Sequence, residues 1–181
     1  NEDNAAAYPE KFDSPQNYGY GNSYGNPAAA AYYNDSREKG FKTVFSAYAE
    51  ATIIPEKLKF KTSYNLDFYF YDSRSYTPEF NVGGSQVNAT SALSKTYGYG
   101  TYHIIDNTLT YSDTKGAHSF SAMLGQSTRM QYNASLTGRA NSVPGFDEQS
   151  KYLVNGSYKN QTTSDAASRY NGLSFFARGT Y

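Results

Sequence analysis

The chain has 181 residues, enough for a domain with a real core, and its 16 Lys plus Arg balance 16 Asp plus Glu to a formal net charge of zero. That balance lacks the basic footprint of a nucleic-acid binder, and the absence of cysteine excludes disulfide scaffolds, thiol chemistry and thiolate metal sites. Hydrophobic residues make up 38% but never approach the roughly 20-residue run of a spanning helix, and 17% aromatics (20 Tyr, 11 Phe, no Trp) are too many for a disordered chain. The sequence starts at Asn1 with no leader pattern, so a processed chain or an excerpt of a longer one is expected.

Residues 1–40 are dominated by Gly, Asn, Tyr and Ser, with Pro9, Pro15 and Pro27 as breakers, and read as a long loop in which "AAAAYY" has room for a helical turn. From Phe41 to Ile53 the residues alternate. Phe41, Phe45, Ala47, Ala49 and Ile53 share one face; Lys42, Ser46, Tyr48 and Glu50 share the other, with Val44 as the exception. "IPEK" is a tight turn, and Pro55 fixes one of its φ angles. Leu58 to Tyr71 then alternates strictly. Leu58, Phe60, Leu66, Phe68 and Phe70 lie on one side, and Lys59, Lys61, Asn65, Asp67, Tyr69 and Tyr71 on the other, which predicts a hairpin.

Residues 72–95 read as a second long polar segment. Thr96 to Tyr111 is a third strand, with Tyr97, Tyr99, Ile105, Leu109 and Tyr111 opposite Tyr102, Ile104 and Asp106. "SDTKG" is another tight turn, and Ala117 to Ser127 is a fourth strand carrying Phe120, Ala122 and Leu124 on one face. Residues 128–172 read as a third long segment, with a small extra strand in "YLVNGSY". Leu173 to Tyr181 opens a fifth strand. No 3.6-residue period is sustained, so almost no helix is expected.

An alternating strand packs its apolar side either on a second sheet or on lipid. Two features favour lipid. The pattern from Leu58 to Tyr71, at about 3.3 Å per residue and tilted, rises on the order of 35 Å, against an apolar band about 25 Å tall. The connections also sort into long, short, long, short, long, as in barrels with tight periplasmic turns and long outer loops. Tyr69, Phe70 and Tyr71 at the end of one strand, with Tyr97 and Tyr99 at the start of the next, look like an aromatic girdle. The fold class is therefore all-β: an antiparallel transmembrane β-barrel segment of about 4–5 long strands. A soluble or cell-surface β-sandwich binding carbohydrate or protein is the alternative. A small complete barrel ending at Tyr181 is a third reading, but its eight strands need more alternating segments than the sequence offers.

Several segments occur in a distinctive order: "NPAAAAYYND", "EKLKFKTSYNLDF", "RSYTPEF", "DNTLTYSDTKGAHSFSAMLGQS" and "LSFFARGTY". Together they resemble the middle of the barrel in the SusC/RagA family of TonB-linked outer membrane proteins of Bacteroidetes, over most of residues 26–127 and then 173–181. The resemblance implies a large closed barrel with an N-terminal plug, importing glycans, peptides or other large nutrients. Its partners would be outer-membrane lipid, a SusD-like surface lipoprotein acting as a lid and, through parts absent from this chain, the TonB complex. This chain would be a slice of such a barrel: an extracellular loop (1–40), two β-hairpins (41–127), a second extracellular loop (128–172) and the start of a further strand (173–181). No plug is in it, so no coupling or gating residue carries over.

On this reading the lipid-facing set is Phe45, Leu58, Phe60, Leu66, Phe68 and Phe70. The lumen-facing set along a substrate path is Tyr48, Glu50, Asn65, Asp67, Tyr69 and Tyr71, with Lys59 and Lys61 near the tight turn. The bland account is that Glu50, Lys59, Lys61 and Asp67 form cross-strand ion pairs and solvate the wall. The loop aromatics Tyr18, Tyr20, Tyr24, Tyr32, Tyr33, Tyr76 and Phe80 would either stack on a ligand or partner or pack on one another. His103 and His118 have no triad or metal spacing, "GYGNSYG" follows no strand, and "NDS" and "DSRS" match no cation loop. No catalysis, metal or cofactor is expected.

Overall fold

The computed structural model describes residues 12, 14, 18–21, 25–83, 86–145 and 147–181. A short helix, α1 (Pro27–Tyr32), precedes two long strands, β1 (Asp35–Ile54) and β2 (Leu58–Thr77). A small hairpin of β3 (Phe80–Gly83) and β4 (Gln86–Asn88) follows, then β5 (Ala92–Lys115), β6 (His118–Asn141), two 3-10 turns (Leu153–Asn155 and Tyr158–Asn160) and β7 (Thr162–Thr180). The long strands form one antiparallel sheet in the order β1-β2-β5-β6-β7. Each has 19 to 24 residues, against the 9–11 that a tilted transmembrane strand needs.

Local chemistry places the ends of these elements. Asn26 caps α1, its Oδ1 accepting from the Ala28 and Ala29 amides at 2.9 and 3.2 Å, and Pro27 sits at the first turn where its missing N–H costs nothing. Between β1 and β2 the chain reverses at Pro55–Lys57, with Glu56 at φ 62 and the Lys57 amide donating to the Ile54 carbonyl at 3.1 Å. The β5–β6 turn uses Gly116 at φ 65, a conformation that glycine adopts without penalty.

Contacts divide the chain into two units. The first comprises Asn1–Lys39, Asp72–Tyr97 and Leu136–Asp165, and it holds both clusters of buried hydrophobic side chains found among the described residues. In one, Tyr76, Leu93, Ala140 and Val143 pack with Leu153. The Tyr76 and Ser91 hydroxyls both donate to the Val143 carbonyl, at 3.2 and 2.8 Å, which satisfies the polar atoms taken into that core. In the other, Ala29, Tyr33 and Val82 pack with Phe12 and Phe80, the Tyr33 and Phe80 rings stacking at 4.5 Å.

The second unit comprises Gly40–Tyr71, Gly98–Ser135 and Ala166–Tyr181, and all of it is sheet apart from its tight turns. Its two faces differ as the alternation predicts. One carries Phe41, Phe45, Phe68, Phe70, Tyr111, Phe120 and Tyr132, linked by ring contacts such as Phe41–Phe68 at 5.6 Å and Tyr111–Phe120 at 5.9 Å. The other carries hydroxyl, amide and ion pairs across neighbouring strands.

Several boundaries differ from the sequence reading. Residues 35–40, 72–77, 92–95, 128–141 and 162–172 were expected in loops and lie in strands, because polar residues that alternate with small or aromatic ones still fit a pleated sheet. "YLVNGSY" forms 3-10 turns rather than a strand. Its Gln161 amide reaches back to the Leu153 carbonyl at 3.0 Å, a local bond that a paired strand would not leave room for. The short helix allowed by "AAAAYY" is present as α1.

Candidate functional site

On the polar face of the second unit, the sequence-predicted residues resolve into two groups. The first is engaged across β1 and β2. Lys42 Nζ meets Asp67 Oδ2 at 2.7 Å, Lys59 meets Glu50 at 3.6 Å, Ser46 Oγ donates to Asn65 Oδ1 at 2.8 Å, and the Lys61 ammonium lies 4.8 Å from the Tyr48 ring centroid. The six predicted side chains of this group, Tyr48, Glu50, Lys59, Lys61, Asn65 and Asp67, therefore have neighbours on the adjacent strand. Such partly exposed pairs contribute about 0–1 kcal/mol each, so they set register and solvation more than stability.

The second group forms a ledge. Tyr69 and Tyr71 stand two apart on β2, their rings stacked at 6.5 Å with an interplanar angle of 18°. They lie flat because β5 offers glycine beneath each: a Cβ at Gly98 would meet the Tyr71 ring at 2.4 Å, and one at Gly100 the Tyr69 ring at 2.5 Å. Tyr69 Oη then reaches Asn133 on β6 and donates to its Oδ1 at 3.0 Å. Asn133 Nδ2 in turn points to Ser168 Oγ on β7 at 3.5 Å. The ledge opens into a groove of about 200 Å³ lined by Tyr69, Tyr71, Asn133, Ala134, Ser135, Ala166, Ala167 and Ser168. Flat rings beside small and hydrogen-bonding groups offer an apolar surface with polar tips.

Sequence reasoning found Tyr69 and Tyr71 but missed Asn133, Ser135 and Ser168, because it placed residues 128–172 in a loop. The signal was present. Tyr132, Ala134 and Leu136 alternate with Asn133, Ser135 and Thr137.

The expected loop aromatics separate. Tyr18, Tyr20 and Tyr32 are exposed. Tyr24 lies outside the described residues. Tyr33 and Tyr76 are not available to a ligand or partner: Tyr76 is 4% exposed inside β2, Tyr33 is buried, and Phe80 is half-buried against Tyr33. Burying these rings gives the first unit its two cores, which outweighs an exposed role.

The apolar face of the second unit is the other site. Leu58, Phe60, Leu66, Phe68 and Phe70 are half-buried, flanked by neighbours in the sheet. On that face Phe41 is 56% exposed, Leu124 63% and Phe175 76%, and Phe45, Ile53, Leu109 and Leu173 are exposed as well. No described residue covers them as a second layer would, since both buried clusters belong to the first unit. His103 sits on this face bonded to the Tyr64 hydroxyl at 2.8 Å, and His118 is bonded to the Tyr181 hydroxyl. In each case a tyrosine hydroxyl is the partner of the imidazole Nδ1.

In the first unit, charge gathers around Asp35. Arg74 Nη2 reaches it at 3.0 Å and Lys151 Nζ at 2.6 Å, while Arg74 Nη1 donates to Glu148 at 2.7 Å and Arg37 also pairs with Glu148. Arg74 and Lys151 are only 14% and 13% exposed, so these are charge-assisted bonds with limited access to water. The Arg74 guanidinium, with Lys151 beside it, holds the Glu148 carboxyl down at about 2. The cluster ties β1 and β2 to residues 147–151.

Long strands with one apolar exposed face, one polar face and connections sorted by length define the class: an all-β chain built on a five-stranded antiparallel sheet. Within that class the likeness is to the RagAB peptide transporter, with a TM-score of 0.74, 14% identity and 86% of this chain covered. The RagAB peptide importer gives the same score and identity in its "closed-closed" state, and 0.73 with 16% identity in its "open-open" state. The fold thus agrees with the SusC/RagA resemblance carried by the sequence motifs. This chain spans 17% of the length of those chains. No family model and no curated protein matches the sequence.

Proposed function

We propose that this chain is part of the barrel wall and outer loops of a TonB-dependent, SusC-like nutrient transporter in the bacterial outer membrane. The observation that carries the reading is the uncovered apolar face from Phe41 to Phe175. A Phe or Leu side chain gains about 1.5–3 kcal/mol on leaving water, so a contiguous set of them facing water would forfeit far more than a domain's net stability. Hydrocarbon supplies the missing medium. The opposite face, with Tyr48, Glu50, Asn65, Asp67, Tyr69 and Tyr71, lines a hydrated substrate path, and the likeness to peptide importers supports a peptide or oligosaccharide as cargo. The wall is not an enzyme and takes no cofactor. The long connections meet a SusD-like surface lipoprotein, and coupling to the TonB complex runs through other parts of the parent protein.

The test is to reconstitute the full-length parent in bilayers whose acyl chains carry bromine at defined depths and to read tyrosine quenching. A tyrosine placed at Phe45 or Leu124 should be quenched by bromine in the acyl region. A tyrosine at Ser63, on the polar face, should not. Equal, weak quenching at all three positions would mean protein covers the apolar face and would favour the soluble or cell-surface sandwich.

A further inference from the structure

The tyrosine ledge and its groove lie wholly within the second unit. The ledge exists because glycine occupies the two β5 positions under the rings: a Cβ at Gly98 or Gly100 would take the space that Tyr71 and Tyr69 fill. On β7, Ala166 and Ser168 are small and exposed, which keeps the far side of the groove open. Tyr69 remains 38% exposed although Asn133 fixes its hydroxyl end at 3.0 Å. The ring is therefore in place before a ligand arrives, and binding pays less for ordering it.

The chemistry around the rings is uncharged. The described residues that line the groove are all Tyr, Asn, Ser or Ala. Asp67, two residues before Tyr69 on the same face, is already neutralised by Lys42 at 2.7 Å. A carboxylate or ammonium entering the groove would shed water without gaining a counter-charge, which is unfavourable. Hydrogen-bonding capacity is nonetheless left over. Tyr71 Oη and Ser135 Oγ have no hydrogen-bond partner among the described residues. Ser168 Oγ accepts from Asn133 Nδ2 and keeps its own O–H to donate.

A sugar ring matches this combination. One face of a pyranose carries C–H groups, which pack on the electron-rich face of an aromatic ring. Its rim carries hydroxyls that both donate and accept, as the tyrosine and serine hydroxyls do. A groove of about 200 Å³ is smaller than the roughly 300–1,000 Å³ of a drug-sized pocket, and suits one ring of a longer ligand.

We propose that Tyr69 and Tyr71, with Asn133, Ser135 and Ser168, form a subsite for one uncharged pyranose ring of an oligosaccharide. This rests on the reading that the polar face lines a hydrated substrate path, and it selects the oligosaccharide over the peptide as the cargo of that path.

The experiment is saturation-transfer NMR on the full-length parent in nanodiscs, which reads weak binding from the ligand's own protons. The probes are maltohexaose, cellohexaose and mannohexaose as neutral pyranose chains, hexagalacturonate as a charged one, and an alanine–serine hexapeptide. At least one neutral sugar should take up saturation, most strongly on its ring C–H protons, and the charged sugar and the peptide should take up little. Tyr71→Ala should weaken sugar binding roughly tenfold. Ala166→Leu fills the groove from an exposed position and should do the same, so the result does not depend on how well the tyrosine variant folds. Tyr158→Ala, which removes an exposed tyrosine outside the groove, should leave binding unchanged. The proposal is overturned by no signal from any neutral sugar, by unchanged binding in both groove variants, or by equal binding of hexagalacturonate. A peptide signal that depends on Tyr71 in place of a sugar signal overturns it too, and gives the ledge to peptides. The brominated-lipid quenching above separates the two failures. Acyl quenching without a sugar signal sinks this subsite alone; no acyl quenching sinks the barrel reading beneath it.

Discussion

Tyr69 Oη on β2 donates to Asn133 Oδ1 on β6 at 3.0 Å, crossing the whole width of β5 to do so. The crossing is possible only because Gly100 lies beneath the ring: a Cβ there would come within 2.5 Å of the ring and 2.6 Å of Asn133 Oδ1. Gly100→Ala should therefore lift the ring and cost about 1–3 kcal/mol, the range for overpacking. Gly179→Ala, where nothing lies within 4 Å, should be close to neutral. Urea midpoints of the reconstituted parent decide it, and similar midpoints for the two variants would refute the ledge.

Phe68 touches Phe41 across the β1–β2 pair, with ring centroids at 5.6 Å, on the apolar face. Phe68→Arg should cost about 1–3 kcal/mol in a bilayer folding assay, following the depth dependence of arginine on a lipid-facing strand. Ser63→Arg, on the opposite face, should cost much less. Matching penalties would show that both faces meet the same medium.

Glu148 gives the charge cluster a pH dependence. Its carboxyl is held at about 2, below the ordinary 4.5, by Arg74 first and then Lys151. A carboxylate whose folded value is depressed adds stability above its unfolded value and loses it as pH falls through the folded one. Attachment of residues 147–151 to Arg37 and Arg74 should thus be intact above pH 4.5 and weaken progressively towards pH 2. Hydrogen exchange of that segment in the reconstituted parent should show this loss, and Glu148→Gln should reduce the dependence, the remainder coming from Asp35, whose carboxyl is also lowered and holds Lys151. A wild-type profile that overlays the variant would rule out Glu148 as the titrating group.

Leu93 is 1% exposed among Tyr76, Ala140 and Val143, with Leu153 packed against them. Leu93→Ala should cost about 2–5 kcal/mol through lost burial and the cavity left behind. Tyr76→Phe should cost only about 0.5–1.5 kcal/mol, because Ser91 still donates to the Val143 carbonyl. Denaturant melts read by exchange of residues 142–161 would show the order, and equal effects would mean that this cluster is not the core of its unit.

The sequence made the paired strands legible where the alternation was strict. From Leu58 to Tyr71 every second residue apart from Thr62 is apolar or aromatic, and a one-residue slip would turn Phe60, Leu66 and Phe68 to the wrong side. It was less legible over 128–141, where Arg129, Gln131, Asn133 and Ser135 alternate with Met130, Tyr132 and Ala134. There the polar half of the period is as loop-like in composition as the true loop at 142–161. The ledge was half visible for the same reason: Tyr69 and Tyr71 stood out, and Asn133 did not.

By itself the sequence determined the two-sided strands, the tight turns at Pro55–Lys57 and Gly116, and the motif order that resembles SusC/RagA barrels, because each follows from a period or a turn rule acting within a few residues. Only the tertiary structure decided that Tyr33 and Tyr76 are buried, that Asn133 completes the tyrosine ledge, and that Arg37, Arg74, Glu148 and Lys151 gather around Asp35. Those outcomes depend on which residues far apart in the chain become neighbours across strands, and no local rule specifies that pairing.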